Sequence, residues 1–193
     1  YTLAVVVLAL VLSGGSLSAQ DDAGSLVNLT HLEHLTEPVT INGEEMAIVH
    51  IYAEYPDYDW VDDADEGISA VDDVARAAIV YLWEYERTGD DHWLDLARRC
   101  LNFVLYMQAE SGEFFNFVWD REGTINQFGS TSFQSLGWWA MRALWALGEG
   151  VRVFDAVEAD YADRLAEAFV RTDAALANGL GNYGEYLDVH GFR

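Results

Sequence analysis

Ile68-Ser69-Ala70-Val71-Asp72-Asp73-Val74-Ala75-Arg76-Ala77-Ala78-Ile79-Val80-Tyr81-Leu82-Trp83-Glu84-Tyr85-Glu86-Arg87-Thr88-Gly89-Asp90-Asp91-His92-Trp93 carries the periodicity from which the architecture follows. Ile68, Val71, Ala75, Ala78, Ile79, Leu82 and Tyr85 recur at spacings of three and four, which places them on one face of a helix. Gly89 ends that helix, and Asp90-Asp91 supply the N-cap of the next. There Trp93, Ala97, Cys100, Leu101, Val104 and Leu105 repeat the stripe. A third helix is expected over 132–147. It is apolar on nearly every side through Phe133, Leu136, Trp138, Trp139, Met141, Leu144 and Trp145, so it is expected to be buried. A fourth, over 155–176, would bury Val157, Tyr161, Leu165, Phe169 and Leu176 and turn Glu158, Asp160, Asp163, Glu167 and Arg171 outward. Gly148-Glu149-Gly150 stands where a second hairpin would turn. The expected fold class is all-α, built of antiparallel helical hairpins with inner and outer helices alternating.

Ahead of this array, residues 20 to about 46 read as polar and irregular, with a turn signal at Asn42-Gly43. Met46 to Tyr52 reads as a short strand or as the start of a helix. The connections inside the hairpins are short, whereas those preceding the first and third helices, over 54–67 and 110–131, are long. A third long, Gly-rich stretch runs over 178–193. In an alternating array these segments lie at one end, where a rigid scaffold usually presents its binding residues.

The first long loop, Glu54-Tyr55-Pro56-Asp57-Tyr58-Asp59-Trp60-Val61-Asp62-Asp63-Ala64-Asp65-Glu66-Gly67, sets carboxylates among aromatic rings. Such a set suits a sugar, whose C–H faces stack on aromatics while its hydroxyls bond to carboxylates. It also suits calcium, which takes oxygen ligands, or a solvated acidic loop. Asp72 shares the apolar face of the first helix, and Asp72 to Arg76 is an i,i+4 ion pair in the favourable order. Asp72 and Asp73 are the candidate catalytic carboxylates, with Glu66 and Asp63 as weaker ones. Tyr55, Trp60, Arg76, Phe115, Asn116, Asn126, Trp138 and Arg142 are the candidate substrate-binding residues. Arg142, among tryptophans on a buried helix, needs an acidic partner or an anionic ligand. The alternation of Phe114, Asn116 and Val118 suggests a short hairpin.

Composition removes other classes. Asp and Glu number 33 against 10 Lys and Arg, all ten arginine, for a net charge of −23. A surface this acidic repels phosphate backbones, so a nucleic-acid partner is not expected. Cys100 is the single cysteine and falls on an apolar stripe, so neither an intrachain disulfide nor a cysteine-based metal cluster is available. His31, His34, His50, His92 and His190 are scattered without metal spacing, and no Gly-rich phosphate loop precedes a helix. No metal or cofactor is expected, calcium in the acidic loop being the one alternative. The apolar run from Thr2 to Leu12, followed by small residues to Ala19, reads as a secretory signal peptide and is too short to span a membrane. The protein is therefore expected to be exported, to the periplasm or beyond, and to leave the membrane once the signal is removed.

Asp72-Asp73-Val74-Ala75-Arg76, Tyr85-Glu86-Arg87-Thr88-Gly89-Asp90, Trp93-Leu94-Asp95-Leu96-Ala97-Arg98-Arg99, the loop Gly112-Glu113-Phe114-Phe115-Asn116-Phe117 and Arg142-Ala143-Leu144-Trp145-Ala146-Leu147-Gly148 resemble the six-hairpin, (α/α)6-toroid glycosidase superfamily. The resemblance extends over roughly 80 residues, from Gly67 to Gly148. It is nearest to bacterial carbohydrate-active proteins whose first hairpin carries Asp-Asp-Asn-Ala-Arg. Val74 stands at the Asn of that motif, and Ser130-Thr131-Ser132 stands where those relatives carry Glu-Asp. Together with the signal peptide (1–19) and the irregular segment and rim loop (20–65), the resemblance implies a domain plan that ends in the first, truncated part of an (α/α) toroid (66–193). It implies a polysaccharide- or oligosaccharide-processing hydrolase or lyase acting through carboxylates at one rim. The alternative is a non-catalytic glycan-binding or scaffolding module.

Overall fold

The computed structural model describes residues 27–181. The expected signal peptide and the last part of the third long stretch, 182–193, lie outside the described residues. Five helices and three two-stranded antiparallel sheets make the fold mixed α and β, which corrects the all-α expectation. The strands come from the segment read as irregular and from the two long loops. After a short helix α1 (Thr30–Leu35), β1 (Thr36–Ile41) and β2 (Glu44–Val49) pair as a hairpin. Its turn is Asn42-Gly43, both at positive φ (53° and 83°), the geometry a two-residue hairpin loop requires. A second hairpin joins β3 (Tyr52–Glu54) to β4 (Asp59–Val61). The third sheet pairs β5 (Ser69–Ala70) with β6 (Phe117–Val118), tying the two long loops together. Gly67 makes that pairing possible: at φ +126° it passes so near Val118 that a Cβ would sit 2.2 Å from its carbonyl oxygen.

Helix α2 (Val71–Thr88) ends as its sequence demands, on Gly89 in the left-handed region. Asp90 caps α3 (Asp91–Tyr106) by accepting from the His92 N–H at 3.0 Å. Cys100 is buried in the α3 stripe, and burial pushes its thiol up to about 12, so it is an inert core residue. Met46 to Val49 of β2 are buried against α3, and Asn102 of α3 donates to the Glu45 carbonyl at 2.9 Å.

The third helix departs from its expected limits. It is α4, Trp138–Phe154. It cannot start at Ser132 because the Ser135 backbone exchanges both hydrogen bonds with Phe114, at 3.0 and 3.1 Å. It runs on through Gly148-Glu149-Gly150, so that triplet is not a hairpin turn. A Cβ on Gly150 would stand only 2.8–2.9 Å from the side chains of Leu101 of α3 and Leu165, so glycine is used for close packing in mid-helix. The chain turns instead at 155–158, leaving Val157 exposed, and α5 (Ala159–Leu180) follows. α5 buries Tyr161 and Leu165 and turns Asp160, Asp163, Glu167 and Arg171 outward, as its stripe predicts.

α4 packs on both α2 and α5, but it is not buried all round. Its covered face is Trp139, Ala140, Ala143, Ala146, Leu147 and Gly150, mostly small enough to let the helices approach closely. Trp138 and Trp145 are 52% and 50% exposed, and Trp145 meets Trp83 of α2 edge to face. Two ion pairs show that α2 and α4 run in the same direction. Asp72 meets Arg142 near their N-termini, and Glu86 meets Arg152 at 2.7 Å near their C-termini. The loops preceding the two helices therefore share one rim.

Candidate functional site

The rim is built by backbone first. The Asn116 carbonyl accepts the Val71 N–H at 2.7 Å, and the Asn116 N–H donates to the Ser132 carbonyl at 3.1 Å. One loop thus seats the first turn of α2 and grips the segment leading to α4. Asn116 is fully buried; its side-chain amide donates to the Thr131 carbonyl at 3.0 Å, and its Oδ1 has no hydrogen-bond partner among the described residues. Asn126, also buried, donates to the Glu66 carbonyl at 3.1 Å and accepts from the Gly129 N–H at 2.9 Å. Both asparagines hold the rim together. Phe115 is half-buried and packs against the core.

Asp72 is 4% exposed, and its carboxylate meets both Arg142 and, at 3.3 Å, Arg76. The Arg142 guanidinium also lies over the Trp138 ring, 5.1 Å from its centroid. Arg142 therefore finds the acidic partner its setting required, and Asp72 is the anchor that joins α2 to α4. Asp73 differs. It is partly exposed and ion-paired to Arg76. Burial first, and then the neighbouring Asp72, raise its pKa against the pull of Arg76 and Arg142. Asp73 and Arg76 line a cleft of about 270 Å3 between α1, the end of β2 and α2, with His50, Leu32, Leu35 and Val80 among its walls.

The weaker candidates are held in the loop. One oxygen of Asp63 accepts the N–H groups of Asp65 and Glu66, at 2.8 and 2.9 Å. Glu66 accepts from Thr131 Oγ1 at 3.0 Å across the two loops and from the Tyr52 hydroxyl at 3.2 Å. The charge of Glu66 is the chief reason the Tyr52 phenol is raised; burial, Asp63 and Asp73 add to it. These carboxylates thus act on one tyrosine. Among the described residues, no group of three or more His, Cys, Asp or Glu side chains is arranged to hold a metal ion.

Tyr55 is exposed and meets Tyr58 edge to face. Trp60 stacks on His50 with centroids 3.9 Å apart and donates to the His34 carbonyl at 3.0 Å. The sequence pattern missed this clasp. His50 is bonded through Nε2 to Glu37 at 2.8 Å, and Glu37 is bonded to Arg121 at 2.9 Å. His50 Nδ1 is buried without a hydrogen-bond partner among the described residues, and burial depresses the imidazole despite Glu37 beside it. Burial opposes the ionisation of Glu37, but Arg121 and His50 together hold its carboxyl below the usual range. Glu37 and Arg121 are 84 positions apart, so no local signal links them. Phe128, on the second loop, is also new and is 93% exposed.

No family model matches the chain, and no curated protein does. Among solved structures, it is similar to the crystal structure of a GH family 9 endoglucanase, with 19% sequence identity and a TM-score of 0.44. The similarity covers 68% of this chain and 31% of that one. No helix among the described residues is long and apolar enough to cross a membrane.

Proposed function

We propose that this is an exported carbohydrate-active protein, a glycan-processing hydrolase or lyase whose substrate lies across the rim formed by the two long loops. Asp73 is the observation that supports the reading best. It is a partly exposed carboxyl at the start of α2 that lines the cleft beside His50, and burial and then Asp72 raise its pKa, while Asp72 itself is engaged by two arginines. Glu66 is the second carboxyl in reach of the same tyrosine, and hydrolysis needs two such groups flanking the scissile bond. Tyr55 is exposed, and Trp60 and Trp138 keep part of their surface open although His50 and Arg142 lie against their rings. The test is to screen the full chain on soluble polysaccharides for released reducing sugar or unsaturated product. Asp73→Asn should abolish turnover without lowering the unfolding midpoint; full turnover in that variant would overturn the assignment.

One observation favours a second reading. Both partner carboxylates, Asp63 and Glu66, already accept hydrogen bonds that hold the loop. A module that binds glycan without cleaving it would retain sugar and release no product in the same screen.

A further inference from the structure

We infer that the rim takes an uncharged glycan, with the Phe128 ring as one of its stacking faces, and that it does not take a uronic-acid polymer. This rests on the glycan reading above and narrows it.

The first ground is that, among the described residues, the arginines of the rim are already engaged. The chain has no lysine. Arg76 is shared between Asp72 and Asp73, Arg142 is held by Asp72, and Arg121 is held by Glu37. Arg171 of α5 donates to the Gln108 side chain at 2.6 Å. A uronate carboxylate brought to Arg76, Arg121 or Arg142 would have to displace a carboxylate the fold uses. Around these pairs the field is negative. Residues 57–66 carry six acids and no base, and the Tyr52 phenol, surrounded by Glu66, Asp63 and Asp73, resists giving up its proton. Elimination on a uronide begins at the proton beside the sugar carboxylate and builds further negative charge there, which a face of net negative charge disfavours. Hydroxyl groups of a neutral sugar can donate to those same carboxylates. Hydrolysis, in which water adds across the glycosidic bond and one carboxyl protonates the leaving oxygen, is the reaction consistent with this charge pattern.

The second ground is Phe128. Its ring is left in water by a segment that is otherwise tightly determined. Asn126 Oδ1 takes the Gly129 N–H, Ser132 Oγ donates to the Asn126 carbonyl at 2.6 Å and accepts the Phe117 N–H at 2.8 Å, and Ser132 and Phe133 both donate to the Gly129 carbonyl at 2.9 Å. Asn126 donates to the Glu66 backbone carbonyl and Thr131 to its carboxylate, so the ring is carried on a segment tied to the acidic loop. A determined segment that exposes an apolar ring and is tied to a loop of hydrogen-bond acceptors offers what the two surfaces of a pyranose require, its C–H face and its hydroxyl edge.

The experiment is affinity gel electrophoresis of the full chain. The neutral probes are mixed-linkage β-glucan, xyloglucan, arabinoxylan and galactomannan; the anionic probes are alginate, polygalacturonate and hyaluronate. Each is run at low salt and at 1 M salt. Retardation by at least one neutral probe and by no uronate probe at low salt is expected. Phe128→Ala should weaken that retardation about tenfold, whereas Phe128→Tyr should preserve it. Retardation by a uronate probe at low salt overturns the inference while leaving the glycan reading standing. Unchanged affinity in Phe128→Ala removes the ring from the site. No retardation by any probe overturns the glycan reading itself and this inference with it.

Discussion

Replacing Arg142 with Met is expected to destabilise the protein more than replacing Asp72 with Asn, although the two side chains share one ion pair. The asymmetry follows from burial. The Asp72 side chain is 5% exposed, whereas those of Arg142 and Arg76 are 38% and 48% exposed. Removing the anion leaves two guanidinium groups that can turn to water, at a cost of about 1 kcal/mol for the lost charge-assisted bonds. Removing Arg142 leaves a buried carboxylate with Arg76 alone, at 3.3 Å. Breaking a fully buried pair costs about 3–5 kcal/mol; with Arg76 retained and Arg142 partly solvated, about 2 kcal/mol is expected. In a chain of this size that is roughly 4–8 °C in Tm. Methionine keeps the aliphatic stem against Trp138, so the loss measures charge more than packing. Urea unfolding followed by tryptophan fluorescence gives both free energies by linear extrapolation. The double variant Asp72→Asn/Arg142→Met should recover about 1 kcal/mol of the summed losses. If Arg142→Met costs no more than Asp72→Asn, Asp72 is not the buried anchor of α2 and α4.

Asp73 should behave in the opposite sense. Its raised folded-state pKa means that stability is full below the unfolded value and is lost as pH rises through the folded one, so Asp73→Asn should be neutral or stabilising at pH 7 in thermal unfolding while sugar turnover falls. His50 and Glu37 are both depressed, so the unfolded chain takes up their protons first. Stability present above their ordinary values of 6.5 and 4.5 should fall in two stages as pH drops below each, and His50→Gln should flatten the upper stage of a Tm-against-pH profile; an unchanged slope there would refute the role of His50. Gly112 sits at φ +90° with a Cβ position only 2.4 Å from the Arg171 carbonyl oxygen of α5, whereas Gly43 at φ +83° faces open space. Gly112→Ala should therefore cost about 2–4 kcal/mol and Gly43→Ala about 1 kcal/mol, and equal losses in urea unfolding would contradict the packing of that loop on α5.

The helices legible in the sequence are those whose limits are set by neighbours in the chain. α2 and α3 declare themselves because Gly89 and Asp90 act within one turn, through a left-handed backbone and a side-chain cap. The outward acids of α5 follow from its stripe for the same reason. Asn42-Gly43 was legible as a turn, but the strands beside it were not, because β2 is buried along four successive residues and shows no alternation. The Asp72–Arg76 pair was likewise local, four residues apart, and the shared rim followed from helix direction alone.

What only the tertiary structure decided is which apolar residues find a cover and which polar ones find each other. Gly148 and Gly150 read as a turn until Leu101 and Leu165 are seen pressing on Gly150 from two other helices. The tryptophans of α4 are apolar whether covered or not, and hydrophobicity names no partner; packing covers Trp139 and leaves Trp138 and Trp145 in water. Asp72 with Arg142, Glu37 with Arg121 and Glu66 with Thr131 join positions 70, 84 and 65 residues apart. Charge and hydrogen-bonding capacity are written in the sequence residue by residue, but their pairing depends on distance in space, and folding alone supplies that.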